Sequence, residues 1–394
     1  MRTLIRGMVV LLGLAGIVCQ GGEAGDLLSG PYTIAVSPDG AIVCWQTTAE
    51  ASGLVRFQAE GATAWSEVRE AKPAAFHAVK LTGLAAGSAY RVEVLAGDRK
   101  RGALTFRTGP KDPGAFTFYL YGDTRTNAGD HERVIRGLLV EMDRARQDTF
   151  VAHTGDFAQG GSDAVSTARQ FFTPAAPLLA RLPLVPVRGN HENGTDLFKQ
   201  YFPWPGRPAD HGGADDLCFD YGSARLVVLD QYTSLSAGDK RMAWLAAKLA
   251  EAKDRWKIVA FHEPIYSTGS HGPNVEFREL VEPVLVAGRV HAVFAGHDHN
   301  YERFKPVQGI TYVTVGGGGA PLRGRGHGDG AETGSVIFES VLHFMMVAVT
   351  PETMSFKAFR PADRGDAFEV FDAFEIPKEC GWPVREKAAS AGGR

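Results

Sequence analysis

Cysteine is scarce: four in 394 residues, at Cys19, Cys44, Cys218 and Cys380. None stand at Cys-x-x-Cys spacing, which excludes a thiolate zinc site and a disulfide-stapled scaffold. No block of lysines or arginines occurs, and the formal net charge is -3. Neither nucleic acid nor an anionic membrane surface is therefore a default partner. Long apolar runs are missing too. The one candidate, "MVVLLGLAGIV" from Met8 to Val18, is too short to span a bilayer as a stable helix. No Gly-x-Ser-x-Gly occurs, so a serine hydrolase has no nucleophile elbow. The run "GGGGAPL", Gly316 to Leu322, lacks the Gly-Lys-Ser/Thr ending of a phosphate loop; backbone crowding accounts for it better.

What is present is ordinary for a globular protein: 44% hydrophobic and 22% charged residues, with length enough for two or three domains. Residues 1–24 read as a secretory signal. Arg2 and Arg6 precede the apolar core, and Gly22-Glu23-Ala24 offers a small-residue cut. Acylation at Cys19 is the weaker alternative, because Val18 is bulky for the residue before such a cysteine. The expected mature chain is exported, periplasmic or extracellular, without a membrane span. It keeps three cysteines, of which one pair could bridge; Cys44, inside a strand pattern, reads as a buried inert thiol.

From Pro31 to Thr108 short strand patterns such as "AIVCWQT", "LVRFQAE", "FHAVKLTGL", "YRVEVLA" and "GALTFRT" alternate with turn signals. Trp45 suits a sandwich core, and "LTGLAAGSAY" suits a tyrosine corner with Tyr90 and Leu84. This segment resembles a fibronectin type III module, expected over residues 29–109. It carries no His, Asp or Glu cluster, so its expected role is packing. After the linker "GPKDPG", apolar runs alternate with helical patterns. That predicts an α/β domain over residues 114–377, with two mixed sheets covered by helices. Residues 378–394 read as a tail.

Polar residues collect just past the apolar runs, where α/β folds place their ligands. "YLYGDT" delivers Asp123, "VAHTGDF" Asp156, and "VPVRGNHE" Asn190 and His191. "VAFHEP" delivers His262, and "VFAGHDH" His297 and His299, which alternation along an extended chain turns to the same side. Alone, each has a plain explanation as a turn, a cap or a hydrogen-bonded core residue. Together, all in phase with strand ends, they predict a metal site. Oxygen and imidazole donors without thiolate suit Fe, Mn, Zn or Co rather than Ca or Mg. The donors are too many for one ion. Two ions about 3.5–4 Å apart are the usual arrangement for in-line attack at phosphorus, and two such ions with two aspartates leave a positive site that attracts a phosphate dianion.

In order, Asp123, "GDF", "GNHE", His262 and "GHDHNYER" resemble the motifs of calcineurin-like metallophosphoesterases. The N-terminal sandwich and "HNYER" make the chain most similar to the purple acid phosphatase branch. That resemblance implies a phosphoric ester hydrolase with two transition-metal ions and a metal-bound hydroxide as nucleophile. Phosphomonoesters come first and phosphodiesters second as substrates. It further implies that Asp156 bridges the ions, with Asp123 and His299 on one and Asn190, His262 and His297 on the other. His191 would assist the leaving group, and His271 in "YSTGSHG" would contact phosphate.

Two departures stand out. The purple enzymes' tyrosine ligand is replaced by Gln159, and the histidine that the wider superfamily has two residues after its first aspartate is Arg125. Gln159, water or His131 could fill the gap, although His131 fits a helix start better. Arg125 is expected to grip phosphate oxygens through its planar fork. Tyr301, Glu302 and Arg303 are expected to brace the histidine loop, and His153 either to support the centre or simply to hydrogen-bond. A different class of reading is an exported binding or adhesion protein with a vestigial metal site, favoured only by the missing ligand.

Overall fold

Each strand pattern between Pro31 and Thr108 forms a strand, and two more join them. In this computed structural model, which describes residues 25–145, 149–212, 214–233, 240–326, 334–363 and 367–378, Leu27–Ile34, Gly40–Ala51 and Ala74–Thr82 make a three-stranded antiparallel sheet. Ser66–Arg69, Gly53–Ala59, Ala89–Ala96 and Arg99–Arg107 make a four-stranded one. Val43, Trp45, Val55, Leu81, Val92 and Phe106 fill the space between them. The Tyr90 hydroxyl accepts the backbone N–H of Ala85 at 2.8 Å, pinning the corner as expected. The expected signal segment and nearly all of the expected tail lie outside the described residues.

The rest is built on two mixed sheets. In the six-stranded sheet the order is Leu184–Pro186, Val151–His153, Phe116–Tyr121, Phe344–Val349, Thr353–Pro361 and Phe368–Pro377; the first three are parallel. The seven-stranded sheet has a parallel centre of Ala224–Val228, Trp256–Ala260, Ala292–Ala295 and Thr311–Val315. These central strands are apolar on both sides because both sides are buried. Leu226, Ile258, Ala292 and Val313 face the core shared with the other sheet. Their neighbours Val227, Val259, Val293 and Tyr312 face helices Lys240–Glu251 and Val275–Ala287 through Leu245, Leu249, Phe277, Val281 and Leu285. Helix Ala128–Ala145 buries Val134, Ile135, Leu138 and Met142 at helical spacing.

The helix Val275–Ala287 does not stand out in the sequence, since Pro283 interrupts its pattern; Asn274 caps it, its side chain accepting the Phe277 N–H at 3.0 Å. The N-terminal sandwich is packed into the larger body. Tyr32 joins the main core, lies 4.9 Å from the Phe172 ring, and donates its hydroxyl to the Tyr201 carbonyl at 2.7 Å. Cys44 and Cys218 are free thiols, pushed up by burial, Cys218 to about 11. Among the described residues no helix is long and apolar enough to cross a membrane.

Candidate metal centre

The carboxyl ends of the parallel strands of both sheets open onto one place. Phe116–Tyr121, Val151–His153 and Leu184–Pro186 lead into Asp123, Asp156 and Asn190; Trp256–Ala260 and Ala292–Ala295 lead into His262, His297 and His299. One sheet thus supplies the oxygen donors and the other the imidazoles. Two overlapping groups result: Asp156 with His262 and His297, and Asp123 with Asp156 and His299. In each, the donor atoms lie within 4.8 Å of one another, and Asp156 belongs to both. Asn190 joins the first group, its Oδ1 lying 3.2 Å from His262 Nε2 and 3.1 Å from His297 Nδ1.

The backbone is strained to achieve this. Asp123, Asp156 and His297 have φ of 57°, 59° and 67°, a left-handed conformation that non-glycine residues seldom adopt. The chain at His297 is therefore not extended, and alternation is not what joins the two histidines; they stand in different groups on either side of Asp156. Space is as tight as the backbone. A side chain at Gly189 would collide with the Asp156 carboxylate and backbone.

Hydrogen bonds fix which atoms can act as donors to a cation. His262 Nδ1 lies 2.7 Å from the Thr154 carbonyl, which only accepts, so Nδ1 carries the hydrogen and Nε2 presents a lone pair. That lone pair meets Asn190 Oδ1 at 3.2 Å and Asp156 Oδ1 at 3.4 Å, both of them acceptors. Oxygen and nitrogen lone pairs converging in this way make a seat for a cation, so these residues fit a metal ion. Without a metal a proton serves. Burial opposes charge on His262, but Asp156 and Asp123 raise its pKa to about 10. Burial also favours a neutral Asp156, yet the His262 charge and hydrogen bond hold it well below the usual carboxylate range. Asp123 goes the other way, raised by burial against the pull of His262 and with the push of Asp156. Burial lowers His297 to about 2 and His299 to about 3, leaving neutral imidazoles.

Asp123, Asp156, His262 and His299 are buried, whereas Asn190 is exposed and His191 and His297 are partly so. His191 Nδ1 donates to the Gln159 carbonyl at 2.9 Å, which directs Nε2 toward Asp156 Oδ2 at 3.8 Å. His271 Nδ1 lies 3.1 Å from Asp298 Oδ1, and its ring stacks on His297 at 4.2 Å. Arg125 is nearly buried, its guanidinium held by Asp156, Gln159 and His299.

The other sequence candidates sit farther back. Gln159 spends its side-chain oxygen on Arg125 and Thr126. His131 is buried within its helix with Nδ1 on the Gln170 carbonyl at 3.0 Å. His153 stacks on Phe157 at 4.0 Å and bonds Thr124 at 3.2 Å. Tyr301 and Arg303 both hold Asp372, at 2.6 and 2.7 Å, and Glu302 holds Thr268. Three residues with evident parts went unread in the sequence: Glu192 and Asp298, which bind backbone, and Arg323, which reaches His271. Asp298 lies between the paired histidines and could have been noticed; Glu192 and Arg323 give no such signal.

Residues 116–301 match the family model for calcineurin-like phosphoesterase. Purple acid phosphatase 21 of Arabidopsis thaliana is 33% identical over 163 residues, covering 36% of this chain and 37% of its own. Tartrate-resistant acid phosphatase type 5 of Oryctolagus cuniculus is 31% identical over 127 residues, 31% of this chain and 39% of its own. The chain thus spans less than two-fifths of these relatives' length. Among solved structures, purple acid phosphatase PPD1 from yellow lupin (Lupinus luteus) seeds superposes with a TM-score of 0.74 at 17% identity, covering 88% of this chain and 74% of that one. PhoD does so with a TM-score of 0.70 at 14% identity and 91% coverage of both.

Proposed function

We propose that this chain, whose residues 116–301 form a calcineurin-like phosphoesterase domain, is a metal-dependent phosphoric ester hydrolase that prefers phosphomonoesters. The observation that carries the reading is the pair of donor groups sharing Asp156 at the mouth of both sheets. On this reading two transition-metal ions, Fe, Mn or Zn, would share Asp156; Asp123 and His299 would hold one, and Asn190, His262 and His297 the other. When bound, such ions polarise the phosphoryl group and lower the pKa of an attacking water.

The protein's own residues do the rest. His191 Nδ1 is tied to the Gln159 carbonyl, so the proton it gives to the leaving alkoxide comes from Nε2. His271, oriented by Asp298, binds a phosphate oxygen at the rim, with Arg323 beside it. Arg125, whose Nε meets Asp156 Oδ2, supplies a planar pair of donors on the same side of that carboxylate as His191. Export belongs to the same proposal, supported by the charged start and apolar core of residues 1–24; so does the division into a sandwich over 29–109 and a catalytic domain over 114–377.

The test is hydrolysis of a chromogenic phosphomonoester and a diester with added Mn, Fe or Zn, with Asp156→Ala as control. Monoester turnover lost in that variant supports the proposal, and faster diester turnover would reassign the substrate. No turnover with any metal would favour a binding protein.

A further inference from the structure

Arg125 occupies an unusual place. Its Nε donates to Asp156 Oδ2 at 3.2 Å and its Nη2 to His299 Nε2 at 3.2 Å. Both acceptors belong to the group that Asp123 completes. His299 Nδ1 donates to the Pro321 carbonyl at 2.7 Å, so Nε2 holds the ring's single available lone pair. That lone pair can serve a metal ion or the Arg125 N–H, not both.

The guanidinium is built into this position. Gln159 accepts from Nη1, and the same Gln159 oxygen accepts the Thr126 hydroxyl at 3.1 Å. Gln170 in turn accepts the backbone N–H groups of Thr126 and Gln159, both at 2.8 Å. The other group differs: His262, His297 and Asn190 turn their donor atoms on one another, its contact with Asp156 is through Oδ1, and among the described residues no arginine or lysine bonds these three. Without a metal it is filled by a proton, which an entering ion can displace to solvent, whereas a guanidinium is tethered and does not deprotonate.

We propose that Arg125 acts as a resident cation in the Asp123–Asp156–His299 group, so that the two metal ions load unequally. The ion between Asp156, Asn190, His262 and His297 enters first and tightly. The second enters only as the guanidinium leaves His299, and against the repulsion of a like charge. Arg125 is thereby a residue that sets metal occupancy as well as one placed to meet phosphate. The inference rests on reading both groups as cation sites.

The experiment is calorimetric titration of MnCl2 into the full-length chain freed of metal by chelation, followed in parallel by electron paramagnetic resonance. The wild-type protein should bind one Mn2+ tightly and a second about tenfold or more weakly, with spin coupling appearing only beyond one equivalent. Arg125→Ala, and Arg125→Met with a stem of similar bulk, should bring the two affinities within about threefold. His299→Ala should abolish only the weak step. Two equal sites in the wild type, an unchanged gap in both Arg125 variants, or loss of the tight step in His299→Ala would each overturn the inference while leaving the metal centre standing. No Mn2+ binding by folded wild type, with folding checked by circular dichroism, would remove the metal centre and this inference together.

Discussion

Glu192 holds the backbone of Asp156 in place: its Oε2 accepts the Asp156 N–H at 3.0 Å and the Gly189 N–H at 3.0 Å, while Oε1 accepts the Phe157 N–H at 2.9 Å. Asp156 has a left-handed backbone, and these bonds are what keeps it there. Burial and the nearby Asp156 charge raise the Glu192 carboxyl to about 7, against the opposing pull of the His262 charge and of the Gly189 and Phe157 N–H groups. Replacing it leaves buried N–H groups unpaired, at about 1–3 kcal/mol each.

Glu192→Ala should therefore lower metal affinity by about ten- to a hundredfold, although Glu192 is not proposed to touch an ion. Glu192→Gln, which keeps acceptor capacity on one side only, should fall between. Titration of Mn2+ into each variant checks this; unchanged affinity in Glu192→Ala would show that the three bonds are ornamental.

Acid should weaken the fold through histidines remote from the donor groups. Burial lowers His131 and His343 from 6.5 to about 4. The unfolded chain takes up these protons below pH 6.5 while the folded chain does not, so each contribution is intact above 6.5. It is lost as pH falls from 6.5 toward 4 and changes no further below that. Each accounts for about 3 kcal/mol at most. Tm measured across this window should drop less steeply in His131→Gln and in His343→Gln than in the wild type; parallel profiles would contradict the assignment.

Colour provides a third check. Gln159 stands where the similar purple enzymes carry a tyrosine ligand. Tyr232, whose ring borders His262, directs its hydroxyl to Glu263 at 2.9 Å, and Tyr121, whose ring borders His153 farther back, directs its hydroxyl to His131 at 3.4 Å. The iron-loaded protein should lack a strong visible charge-transfer band. An intense purple band in the purified protein would mean that a tyrosinate reaches the iron.

The donor set was legible because parallel strands buried on both faces are written as continuous apolar runs, and each run stops where the chain turns polar. Asp123, Asp156, Asn190, His191, His262, His297 and His299 could be named from that punctuation; setting His191 apart from the expected ligands rested on the family resemblance. Conformation was not legible: nothing in "GDF" or "GHD" announces the left-handed backbone of Asp156 or His297. Nor was the environment of Arg125, whose partners Asp156 and His299 lie 31 and 174 positions away. Glu192 stayed hidden because it binds N–H groups, which every residue type offers. The short strands and the proline-bearing helix Val275–Ala287 were missed because tertiary packing, not local pattern, sustains them.

Diffraction data collected at the manganese absorption edge, from crystals equilibrated with MnCl2, test the central claim most directly. An anomalous peak is expected among Asp156, Asn190, His262 and His297, and, at saturating Mn2+, a second between Asp123 and His299 across the Asp156 carboxylate. Saturated crystals with no anomalous density within reach of Asp156 would contradict it.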